Sequence, residues 1–83
     1  MNQTTIQEIR ELPCRIVHMV STDVLSLRCP QCGGALVVGY SPGKRKALEL
    51  LCKQSCFALH VDGLEREPAW VAELGNRVET SPN

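Results

Sequence analysis

The apolar positions of this chain recur with more than one period, and each change of period marks an element. Ile6, Ile9 and Leu12 recur at helical spacing behind Thr4 and Thr5, either of which can cap a helix, so a short helix is predicted over residues 6–12. Pro13 is expected to end it, because proline lacks the N–H that the next turn would use. The run CRIVHMV, Cys14 to Val20, is apolar without a decisive period; it is read as strand, with a further helical turn as the alternative. Ser21-Thr22-Asp23 reads as a turn, and Leu25-Ser26-Leu27-Arg28 alternates as a half-buried strand does. Further on, ALVVGY and ALELLC flank SPGKRK, the signature of a β-hairpin around a Pro-Gly turn. Phe57 to Val61 (FALHV) predicts another strand, closed by Asp62-Gly63. Pro68 and Gly75 bracket AWVAEL as first position and C-cap of a short helix, and ETSPN is expected to fray.

Cysteine placement changes the picture most. Cys29-Pro30-Gln31-Cys32-Gly33-Gly34 has the form of a metal knuckle: the turn aims backbone N–H groups at the first thiolate, and glycine takes the left-handed conformation that frees the second one. Nineteen residues separate Cys32 from Cys52, enough for one hairpin to bring Cys52 and Cys56 back beside the first pair. Two knuckles at one end of a small antiparallel sheet make a zinc ribbon. Cys29, Cys32, Cys52 and Cys56 are thus the candidate ligands of one Zn2+, with iron in the same thiolate cage as the less favoured alternative. CKQSC carries one residue more than the usual C-x-x-C, which leaves Cys14, His18 and His60 as competitors for the place of Cys56. If residues 57–61 are strand, His60 lies roughly 13 Å along the chain from Cys56 and cannot share its metal.

Composition supports a staple. A chain of 83 residues buries only about 60 to 65 per cent of its unfolded surface, so its core is marginal without one. Five cysteines, an odd number, suit a disulfide framework poorly, and no signal-like or membrane-spanning stretch is legible, so a cytoplasmic, reducing setting is expected. The fold expected is therefore small α+β and metal-stapled: a zinc ribbon with a three- to four-stranded antiparallel sheet and short N- and C-terminal helices. One domain is laid out as an N-terminal arm (1–24), the ribbon core (25–64), a C-terminal helix (65–78) and a frayed tail (79–83).

The pattern CPQCGGAL, a hairpin, LLC and a strand ending in Val61-Asp62-Gly63 resembles the small zinc-ribbon methyltransferase-activator proteins, and similar ribbons are fused to ribosomal RNA methyltransferases. By that resemblance Cys29, Cys32, Cys52 and Cys56 match the metal positions, and the chain acts without an active site by packing on a catalytic partner. His60 and Leu64-Glu65 depart from the family's prolines around Asp-Gly, and the arm containing Cys14 has no counterpart.

A closed four-thiolate shell leaves no position for water or substrate, GYSPGKR lacks the Walker spacing, and no enzyme is expected. Nine basic and nine acidic residues cancel, which excludes a global pull toward nucleic acid or anionic membrane. The function expected is a structural-zinc adaptor that docks on a larger protein, such as a component of an RNA-modifying, transcription or translation complex. With 43% hydrophobic residues the chain has apolar surplus to present, and Trp70 and Leu74 are the candidate partner surface, a lid over the sheet being the other reading of Trp70. The alternatives are weak nucleic-acid binding through Lys44, Arg45 and Lys46 at the hairpin tip, and thiol redox or metal sensing through Cys14.

Overall fold

The computed structural model describes residues 3–80. Helix α1 spans Gln3–Val17, and its buried residues Ile9, Leu12, Pro13 and Ile16 keep the i, i+3, i+4, i+7 spacing of one apolar stripe. The helix thus passes through Pro13 instead of stopping there, and Cys14 to Val17 is helix, not strand. An interior proline costs about 3 kcal/mol. Burial of Ile16 and the proline ring, at about 1.5 to 3 kcal/mol for a large aliphatic side chain, offsets that cost. Tertiary packing decides the element here, against local propensity.

Ser21-Thr22-Asp23, expected as a turn, opens a second short helix, α2 (Ser21–Leu25), which seats Val24 in the core. Residues 25–28, expected as a strand, form none. Ser26 and Leu27 N–H instead donate to the Asp23 and Val24 carbonyls, each at 3.2 Å, and close the end of α2.

The hairpin forms as expected. Strands β1 (Leu36–Ser41) and β2 (Lys46–Cys52) pair antiparallel from Leu36↔Cys52 to Ser41↔Ala47. Strand β3 (Ala58–Leu64) pairs with β2 and runs past Asp62-Gly63 through a register shift, with Gly63 at φ 76. The predicted C-terminal helix shrinks to four residues, α3 (Val71–Leu74), which Gly75 ends at φ 85. Beyond it, Arg77–Glu79 is not helix or frayed tail but a strand, β4, antiparallel to β1 with Val38 opposite Val78. Asn76 and Thr80 extend the ladder: Tyr40 N–H donates to the Asn76 carbonyl (2.7 Å), Thr80 N–H to the Leu36 carbonyl (2.9 Å), and Leu36 N–H to Thr80 Oγ1 (2.8 Å). Every outward backbone group satisfied there is one less open sheet edge.

The four-stranded sheet has the order β3-β2-β1-β4. Leu36, Val38 and Tyr40 of β1, Leu48, Leu50 and Cys52 of β2, and Val78 of β4 share its inner face and are buried beneath α1, α2 and Trp70. Trp70 is 0% exposed, and its indole N–H donates to the Ile16 carbonyl at 2.9 Å. It therefore closes the last turn of α1 and offers no surface to a partner; Leu74 is half-buried beside it. The architecture is the expected small α+β fold with a four-stranded antiparallel sheet and a short N-terminal helix. No helix among the described residues is long and apolar enough to cross a membrane.

Candidate metal centre

The first knuckle sits in the turn that leads into β1. Gly33 N–H donates to the Cys29 carbonyl (2.8 Å) and Cys29 N–H to the Gly34 carbonyl (3.0 Å), which closes the turn, while Gln31 N–H and Gly34 N–H each lie 3.4 Å from the sulfurs of Cys29 and Cys32 respectively. Gly33, at φ 73, takes the left-handed turn. At Gly34 a Cβ would come within 3.3 Å of Cys32 Sγ and of the Gln54 side chain, a tight approach that glycine relieves.

The second knuckle begins on the last residue of β2. Cys52 N–H donates to the Phe57 carbonyl (3.1 Å), Ser55 N–H to the Cys52 carbonyl (2.9 Å), and Gln54 N–H lies 3.3 Å from Cys52 Sγ. Ser55 has φ 63, the one left-handed residue other than glycine among those described. This explains the extra residue of CKQSC. In the first knuckle the left-handed residue follows the second cysteine; in the second it precedes it, and the loop is one residue longer to hold it. Serine there costs about 1–2 kcal/mol in backbone strain, against an unfolded-state penalty of roughly 0.5–1 kcal/mol for glycine. Ser55→Gly is therefore expected to raise stability by about 0.5 kcal/mol in chemical denaturation of the metal-loaded chain, and a loss of stability would contradict this account.

The hairpin register sets Leu36 beside Cys52, and Lys53 N–H bonds the Ala35 carbonyl (3.1 Å), so the two knuckles meet at one end of the sheet. The ligand atoms of Cys29, Cys32, Cys52 and Cys56 all lie within 4.8 Å of one another. Cys32 and Cys52 sulfurs are 3.6 Å apart, too far for a disulfide and close to the edge of about 3.8 Å of a tetrahedron with bonds of about 2.3 Å to sulfur. Cys29 and Cys52 are buried, Cys56 is half-buried, and Cys32 is exposed.

Electrostatics make the same point. Burial pushes the Cys29 thiol up, and burial with hydrogen bonding among the neighbouring thiols pushes Cys56 up to about 12. Burial also acts upward on Cys52, but the backbone N–H groups of Cys56 and Gln54, together with the Cys32 and Cys29 thiols, bring it down to about 7. Cys52 is thus the thiol held down, while Cys29 and Cys56 are pushed the other way, chiefly by burial. Four thiolates can share this volume only around a cation, and a soft tetrahedral dication fits the donor set.

The structure leaves the other candidates apart. Cys14 lies exposed on α1 and His18 in the turn just past its end, and His60 points from the outer face of β3 toward Glu49, Nδ1 to Oε1 3.5 Å. Of the basic tip, Arg45 is tied to Asp62 at 3.1 Å and Lys46 is half-buried where β2 begins, which leaves Lys44 as the tip's freely exposed cation. The Trp70 contact with Ile16 had no signal in the sequence, because a pairing across 54 positions leaves no local spacing. No protein-family model matches the chain, and comparison with curated proteins and with solved structures finds no significant similarity.

Proposed function

We infer that this chain is a non-catalytic zinc-ribbon module that docks on a larger protein. The observation that carries the reading is the complete set of four cysteine sulfurs within 4.8 Å of one another, which fills a tetrahedral shell and leaves the metal no site for substrate or activated water. A metal so enclosed stabilises: binding supplies on the order of 10 kcal/mol of folding free energy at neutral pH. Zinc is favoured because it holds this geometry without redox chemistry. A stapled domain of this size would serve a larger protein as a rigid accessory or adaptor surface, in the reducing cytoplasm that its free cysteines suit. The tie of Arg45 to Asp62 weighs against the hairpin tip as a nucleic-acid contact.

Metal analysis of the purified chain, combined with affinity isolation of its tagged form from cells that express it, tests the reading. One zinc per chain and a stoichiometric protein companion, lost in Cys52→Ser, are expected. Iron in the site, or a zinc-loaded chain recovered with no companion, overturns it.

A further inference from the structure

The inner apolar row of the sheet extends one strand beyond its cover. Leu48 and Leu50 of β2 are 1% exposed, whereas Val61, next to Leu48 on β3, is 38% exposed. Between α1 and β3 runs a groove of about 400 Å³ lined by Arg10, Pro13, Cys14 and Val17 of the helix and Val61 and Leu64 of the strand; it continues past His18 toward Arg66. Strand β3 is also an open edge. The bond from Cys52 N–H to the Phe57 carbonyl sets the phase of the β2–β3 ladder, so the N–H and C=O groups of Ala58 and His60 point away from β2. Apolar floor and unpaired backbone thus lie side by side, the arrangement that receives an added strand.

Charge selects the occupant. The groove between α1 and β3 holds one cation, Arg10, and no carboxylate, while Arg66 stands beside Glu67 where the groove continues; neither arginine belongs to an ion pair among the described residues. A second copy of the chain paired along β3 would bring the same cations toward one another across the sheet. A nucleic-acid strand would find no phenylalanine, tyrosine or tryptophan in the groove on which to stack. Arg10 on α1 and His18 one residue past its end stand eight positions apart, about 12 Å at the helical rise, which four residues of extended chain span at about 13 Å. We propose that this groove receives an extended acidic segment of a partner protein, which adds to the free edge of β3 with an apolar side chain on the Val61–Leu64 floor and carboxylates toward Arg10 and His18. The proposal rests on the reading of the chain as a docking module, and names the surface and the chemistry of what docks.

The probe is a fluorescein-labelled nonapeptide in which glutamate, valine and glutamate occupy alternate positions between threonines, set against a counterpart with lysine for glutamate. Both are titrated into the zinc-loaded chain. The glutamate peptide is expected to bind at least roughly tenfold more tightly than the lysine peptide, and Arg10→Glu to reverse that preference. His60→Pro removes an outward N–H that β2 does not use, so it is expected to keep the fold and weaken binding several-fold. Cys14 lies within the groove and outside the metal cluster. Bound peptide should slow its alkylation at least roughly fivefold, while zinc content stays at one per chain in every variant. Equal affinity for both peptides, no binding, or binding that leaves Cys14 alkylation unchanged overturns the groove assignment. A stoichiometric protein companion that is indifferent to both Arg10→Glu and His60→Pro overturns the groove alone and keeps the module reading, whereas the absence of any companion from the parent chain removes that reading too.

Discussion

Cys56→Ser is expected to strip zinc from the chain under mild chelation, while Cys14→Ser keeps one zinc per chain. The four cluster thiols lie within bonding reach of a common centre, and Cys14 sits exposed on α1 in the separate groove between that helix and β3. If the metal supplies about 10 kcal/mol, one ligand of four carries roughly 2.5 kcal/mol, close to a hundredfold in affinity. A two-state domain of this length is stable by only about 4 to 12 kcal/mol. On that figure loss of the metal would carry most of the folding free energy with it, and the chelated Cys56→Ser chain should lose the near-ultraviolet signal of Trp70 together with its metal. Stoichiometry by elemental analysis and near-ultraviolet circular dichroism read the two effects. Retention of zinc in Cys56→Ser together with loss in Cys14→Ser would move the fourth ligand to the N-terminal helix and overturn the assignment.

The metal end of this molecule was legible in the sequence because it is written locally. A knuckle, a hairpin of fixed length and a second pair of cysteines leave little freedom, and the four sulfurs converge as their spacing implies. Even the anomalous CKQSC loop has a local cause, Ser55 in the left-handed conformation. The elements that the sequence misled on are those decided at long range. Pro13 reads as a stop, yet α1 continues because Pro13 and Ile16 are buried together on its apolar stripe. Leu25 to Arg28 alternates like a strand and forms none, while β1 pairs with residues 77–79, which looked like helix end and tail. Propensity and alternation describe what a segment can do alone, and which segment pairs along a sheet edge is invisible to them.

Trp70 decides whether α1 belongs to the folded unit. It has no exposed surface, and it packs in the buried cluster with Ile16, Leu36 and Leu48 while its indole N–H holds the Ile16 carbonyl. Trp70→Ala is expected to cost about 3–5 kcal/mol, the range for removing a buried aromatic ring. Trp70→Phe keeps most of the apolar volume and removes the hydrogen bond. Since Ile16 O also accepts from Met19 N–H at 3.1 Å, that loss should cost only about 1 kcal/mol beyond the smaller ring. The metal should respond differently from the helix. All four cluster cysteines lie between residues 29 and 56, in the knuckles and the hairpin that joins them, and none lies on α1. Zinc-loaded Trp70→Ala is thus expected to lose far-ultraviolet helical signal at a denaturant concentration where zinc remains bound, separating two transitions that coincide in the parent chain and in Trp70→Phe. A variant that loses helix and zinc together would show instead that the metal end cannot stand without the helix it lies beside.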